Sequence, residues 1–211
     1  MANRSYLYST NIIPEPNQNE SSRVLTGISE YNYDIPIVFK VLLSGNPQAC
    51  ISVIWDSAEK IALIGDYQTG VQNLEEFLAK IVLPEAQVPI AEALEFLKDP
   101  KNQSQYFILE CGEIFEMSET PVEVQNLSLL NQIKNLQPEI AAAYQLLLPP
   151  TPVVSKQPKP IGFLAKLFGR RPTSPKALPV HHSEQAIYDL GLGLWSNILY
   201  FDFSESDDDQ N

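Results

Sequence analysis

Apolar and polar positions change their period several times along this chain, and each change marks a different element. From Arg4 to Ser9, RSYLYS, the residues alternate, which places Tyr6 and Tyr8 on one face of a predicted strand and Leu7 on the other. Residues 14–23, PEPNQNESSR, are polar and read as a loop. Pro36 to Ser44, PIVFKVLLS, is apolar but too short for its period to separate a buried helical turn from a strand, and Gly45-Asn46-Pro47 ends it. Two β-rich runs, Ala49 to Asp56 and Ile61 to Asp66, flank SAEK and predict a hairpin.

The period then lengthens. In VQNLEEFLAKIV, residues Val71, Leu74, Phe77, Leu78, Ile81 and Val82 fall at helical spacing, with Thr69 or Gly70 as the expected N-cap. Ile90 to Leu97 repeats that spacing and stops before Asp99-Pro100, and Tyr106 to Cys111 predicts a further strand. Leu127 to Leu148 carries the longest helical signal, within which Pro138 starts a second helix or kinks the first. Ser183 to Leu190 predicts a short helix and Leu192 to Phe203 a final strand. No regular βαβ alternation appears and no glycine-rich turn follows a strand, so the expected class is α+β: one domain with a mixed or mainly antiparallel sheet packed by helices. The two end strands are expected to pair, with Tyr6 to Tyr8 beside Ile198 to Phe201.

Composition agrees with one folded core. The chain has 211 residues, 44% hydrophobic and 19% charged, ordinary for a globular protein. No apolar run approaches the roughly 20 residues of a membrane helix, and MANRSYLYST lacks the apolar core of a secretory signal, so a cytoplasmic location is expected. Cys50 and Cys111 lie in separate strand-like runs without CxxC spacing, which predicts two buried free thiols.

Charge divides the chain. Its formal net charge is −12, yet no Asp or Glu stands between Glu139 and Glu184, where six of the 14 basic residues fall; the remainder sets 8 basic residues against 26 acidic. Eight of the 17 prolines share that window. The expected organisation is therefore a core over 1–148, a proline-rich basic excursion over 149–182, a helix and strand over 183–204 that complete the core, and an acidic tail over 205–211. Inside the excursion, PIGFLAKLFGRRP has helical spacing: Ile161, Phe163, Leu164, Leu167 and Phe168 make an apolar stripe, and Lys166, Arg170 and Arg171 a basic side and end. A helix this short needs a surface to hold it. Phe163, Leu164, Leu167, Phe168, Arg170 and Arg171 are thus the candidate interaction residues, facing the acidic body of the same chain, a partner groove or anionic lipid. Deleting Pro149 to Pro179 and rejoining the ends through a flexible linker is expected to leave the thermal midpoint nearly unchanged; unfolding of that variant would place the segment in the core.

The opening MANRSYLYS resembles the N-terminal strand of a group of uncharacterised bacterial proteins, and the closing GLGLWSNILYFDF is similar to their aromatic ends. The resemblance implies a bacterial cytosolic origin and carries no catalytic residue.

Candidate chemistry is sparse. GxSxG, HExxH and GxxxxGK[ST] are absent from the sequence, and no cofactor or metal is expected. His181 and His182 are adjacent in the linker, where extended backbone points their rings apart, so they read as solvated; Cys111 with His182 as nucleophile and base has nothing to recommend it. Glu110, Glu113, Glu116, Glu119 and Glu123 have the look of paired catalytic carboxylates but read as a solvated acidic face, or as charges interleaved with Ile114, Phe115 and Met117 on the sheet side. SESDDDQN lacks the spacing of a calcium loop and reads as a solubilising tail. An acidic body repels nucleic acid and attracts basic proteins. The expected function is a non-enzymatic, acidic protein-binding module with a basic partner, as for a bacterial immunity protein that neutralises a basic toxin. The alternatives are a peripheral membrane or scaffold adaptor acting through 161–171, and an unrecognised enzyme.

Overall fold

Alternation in the strands buries both sides of the sheet, and this decides the architecture. A computed structural model describes residues 3–16, 22–148 and 181–201. The candidate interaction residues Phe163, Leu164, Leu167, Phe168, Arg170 and Arg171 and the acidic tail lie outside those residues. Five strands, β1 (Arg4–Thr10), β2 (Leu25–Asn32), β3 (Gln48–Cys50), β4 (Ala62–Asp66) and β5 (Tyr106–Glu110), form one sheet in the order β2-β1-β5-β4-β3. Every pairing is antiparallel. With the helices packed on it, the sheet makes an α+β domain.

Leu7, Leu63, Phe107 and Leu109 project to one side, where helices α1 (Ile37–Leu43), α2 (Tyr67–Leu78), α3 (Gln87–Lys98) and α5 (Val122–Lys134) supply Phe39, Leu42, Leu74, Leu97 and Leu129 to the main core. Helix α6 (Gln137–Leu146) adds Ala143, and α7 (His181–Asp189) adds Ile187. Tyr6, Tyr8, Ala62, Ile64 and Ile108 project to the other side and form a smaller core with Cys50, Val53 and Leu199. Each large apolar side chain so buried contributes about 1.5–3 kcal/mol against exposure. The split of Tyr6 and Tyr8 from Leu7 is the one their alternation predicts.

Local chemistry moves several boundaries. The undecided run Pro36 to Ser44 is helix α1, and the long helical signal divides at Pro138, which sits in the first turn of α6. The N-cap of α2 is Asp66, whose carboxylate accepts from the Thr69 amide at 2.8 Å; Thr69 and Gly70 lie inside the helix. The predicted hairpin exists as β3 and β4, but Cys50 opposite Ala62 is its last pair, and 51–61 leave the ladder. His181 and His182 begin α7 and are not on extended backbone.

Among the described residues the final strand is not formed. β1 has β2 on one flank and β5 on the other, so no edge is left for residues 198–201. Gly191 and Gly193, with φ of 92° and 98°, turn the chain along the outer edge of β2 instead. There it makes a single bridge, Ser29 to Trp195, and a bond from the Ser196 amide to the Ile28 carbonyl. The segment then crosses beneath the aromatic face, where Leu199 is buried and the Tyr8 hydroxyl donates to the Phe201 carbonyl at 2.8 Å. Ile198 and Tyr200 point out to solvent, so the strand-like period persists without a ladder.

Candidate functional site

Strand pairing carries one carboxylate to a place that water does not reach. Glu110 ends β5 between Tyr6 of β1 and Ala62 of β4, on the aromatic face, and is 0% exposed. One carboxylate oxygen accepts from the Val53 amide at 2.7 Å and the other from the Ser52 hydroxyl at 2.9 Å. Ser52 Oγ accepts in turn from the amides of Ile54 and Trp55, at 3.0 and 2.9 Å. Glu110 therefore holds the chain that leaves β3, which explains why the hairpin strand stops at Cys50. Burial pushes its pKa from 4.5 up to about 7, against the opposing pull of the two donors and the charge of Arg23.

Glu113 behaves differently. It lies on the short helix α4 (Gly112–Phe115) and accepts from the Arg4 amide at 2.8 Å and the Tyr6 hydroxyl at 3.0 Å. Burial, with that contact, pushes the Tyr6 phenol up. The Arg4 guanidinium pairs with Glu30 at 3.2 Å and lies 4.6 Å over the Tyr200 ring. Trp55 closes the region: it packs against Gly112 and meets Phe201 edge-on at 6.1 Å.

The five-glutamate run is thus not one solvated face. Glu116, Glu119 and Glu123 are exposed as expected, whereas Glu110 is buried and Glu113 is tied to β1. Both inner carboxylates are engaged in holding backbone. Cys50 and Cys111 are buried free thiols on opposite faces of the sheet, and burial pushes both thiols up, away from the thiolate that nucleophilic chemistry needs.

A groove opens on the other side of the molecule. Helices α1 and α2 form one wall and the α5–α6 junction the other of an open groove of about 640 Å³. Val41, Phe77, Ile133 and Leu136 lie at its base, Ile140 and Tyr144 along its side, and Lys80 and Lys134 line it as well. Tyr144 stacks on Phe77 at 5.2 Å and donates its hydroxyl to the Phe77 carbonyl at 2.9 Å, while Lys40 pairs with Glu139 at 2.6 Å; both contacts fix α6. Nothing in the sequence marks this groove, because Lys80 and Lys134 have the appearance of ordinary helix-end lysines and come to line one concavity only through packing.

Among the described residues no helix is long and apolar enough to cross a membrane, and no group of three or more His, Cys, Asp or Glu could hold a metal ion. No curated protein and no solved structure matches the chain. A family described as a domain of unknown function, DUF7822, matches residues 11–150, from just beyond β1 to past the end of α6. The match leaves out MANRSYLYS, although β1 is the strand between β2 and β5 on which the sheet depends. Covering more than half of the chain, it establishes that this protein belongs to the DUF7822 family.

Proposed function

We propose that the protein is a non-enzymatic, acidic protein-binding module whose partner is basic, acting in the bacterial cytoplasm in the manner of an immunity protein that neutralises a toxin. The observation that carries this reading is an acidic surface with apolar side chains set into it. Glu116, Glu119 and Glu123 are exposed before and at the start of α5, together with Met117, Val124 and Leu127. Asn126 donates to the carbonyls of Lys60 and Ala62 at 2.8 and 3.0 Å, tying α5 to the end of the 51–61 loop, where Asp56 and Glu59 are also exposed. Apolar side chains supply contact area and the surrounding carboxylates steer a basic partner and fix its orientation. The engaged state of Glu110 and Glu113 and the raised thiols support a binding role over catalysis.

Affinity capture from the source cell followed by salt titration tests this. The expected result is a basic protein in a complex that weakens as salt rises, since exposed charges are screened over about 8 Å at physiological ionic strength. Charge reversal at Glu116, Glu119 and Glu123 should slow association by about tenfold with little change in thermal midpoint. Salt-independent capture of an acidic partner would overturn the proposal.

A further inference from the structure

We propose that the groove between α1–α2 and the α5–α6 junction binds a small anionic amphiphile, its carboxylate or comparable acid group held by Lys80 and Lys134 and its apolar body laid along Ile140 and Tyr144. This is independent of the acidic surface around α5 and of the partner assigned to it.

The inference begins with the lysines. Six are described, and three of them are ion-paired: Lys40 with Glu139, Lys98 with Glu75 and Lys101 with Asp99. Of the other three, Lys80 and Lys134 both line this groove, from opposite walls. In a chain of net charge −12 with acids in excess, two cations in one concavity that have no carboxylate partner among the described residues form a local inversion of charge. An ordinary explanation exists for each alone, because Lys134 ends α5 and Lys80 follows the last turn of α2, where a cation complements the helix dipole. That account does not require both to face the same cavity. Glu76 lines the groove as well, one turn before Lys80 on the same wall, so the three charged side chains of the lining leave it a net positive charge and Lys134 faces no acid on its own wall.

Size and lining specify the rest of the ligand. A volume of about 640 Å³ lies within the roughly 300–1,000 Å³ of small-molecule sites, where apolar walls with a few convergent polar groups are the rule. The walls are pre-formed, since the Tyr144–Phe77 stack and the Lys40–Glu139 pair set the position of α6 without a ligand. Asn73 is already committed, donating to Ser44 Oγ at 2.8 Å, and Asn135 donates to the Asn131 carbonyl at 2.9 Å, so the lysines are the charged donors left to meet an anion, with the Gln137 amide beside them. A purely inorganic anion would leave the apolar side uncovered, and a neutral hydrocarbon would leave both ammonium groups unused.

The test uses the full chain with decanoate as the probe, followed by calorimetric titration and by backbone amide shifts in NMR. Saturable binding of decanoate is expected, about tenfold tighter than that of decanol, with shifts concentrated at residues around Lys80, Lys134 and Tyr144. The double variant Lys80→Glu, Lys134→Glu should weaken decanoate about tenfold and leave decanol unaffected. Both lysines are exposed, so the thermal midpoint should hold, and if it falls, Lys80→Gln with Lys134→Gln replaces the pair. Equal binding of decanol and decanoate, shifts located elsewhere, retention of decanoate affinity in the double variant, or no saturable binding would each overturn the assignment.

Discussion

Replacing Gly70 by alanine is expected to destabilise the protein by about 3 kcal/mol, lowering the thermal midpoint by roughly 10 °C for a chain of this size. Helix propensity alone gives the opposite sign. Gly70 lies inside α2, and alanine is favoured over glycine within a helix by about 1 kcal/mol. Packing reverses the result, because a Cβ at Gly70 would fall well inside the contact distance of the Leu42 carbonyl oxygen and 3.3 Å from the Phe107 ring. The obstacle is backbone near the end of α1, which cannot rotate away as a side chain can. Gly65 makes a similar approach, its added Cβ meeting the Leu43 carbonyl at 2.6 Å, so α1 is pressed against glycines on both β4 and α2. Leu42, Leu43, Leu74 and Phe107 are all fully buried around this contact, and displacing α1 disturbs them together. Urea and thermal denaturation of Gly70→Ala check the sign, and a midpoint within about 2 °C of the parent would show that α1 relaxes at little cost.

The same position shows what the sequence discloses and what it withholds. Periodicity located α2 and selected its buried residues Val71, Leu74, Phe77 and Leu78, but it ran the helix on to Val82, which lies beyond α2 and is exposed. It could not distinguish Gly70 as a cap from Gly70 as a close-approach site, since that difference depends on Leu42, which packing brings alongside. β2 went unrecognised for a related reason: LTGISEYN has a glycine and polar residues on a strand whose outer edge is covered by residues 194–197, so its alternation is diluted. The C-terminal run failed in the opposite direction. Its aromatic alternation is real, but a strand also needs a free edge, and β1 has none. The α+β class survives these errors because it rests on the order of elements. The site does not survive them in the same way: spacing near three made five glutamates look equivalent, while burial separates Glu110 from Glu116, Glu119 and Glu123. Strand register decides that, and register is not written in a glutamate's neighbours.

Between pH 5 and 8, folding stability is expected to fall as pH rises, by about 3 kcal/mol at most from Glu110, and this slope should vanish in Glu110→Gln. The sign follows from burial. An unfolded glutamate loses its proton near pH 4.5 whereas the folded one holds it to about 7, so across that window the folded state binds more proton than the unfolded state. Stability contributed by the neutral group is complete below about pH 4.5 and is lost as pH rises through 7. The hydrogen bonds act in the other direction: both oxygens face donors, at Val53 and Ser52, an arrangement that suits the ionised carboxylate. They hold the shift below what complete burial would otherwise produce, and they do not reverse it. A protonated Glu110 and a glutamine present similar shapes to the same two donors, so the difference between parent and variant isolates the charge. Chemical denaturation of both across pH 5–8 supplies that difference and cancels the self-repulsion of the other acids. If the parent instead gains on the variant as pH rises, the donors outweigh burial and Glu110 is ionised throughout. Removing the carboxylate altogether, as in Glu110→Ala, leaves the Val53 amide and Ser52 hydroxyl without acceptors at every pH, which is expected to cost about 2–4 kcal/mol and to loosen the 51–61 loop from the sheet. Amide exchange at Val53 that is no faster in Glu110→Ala than in the parent would contradict that role, because the loop would then be held by something other than Glu110.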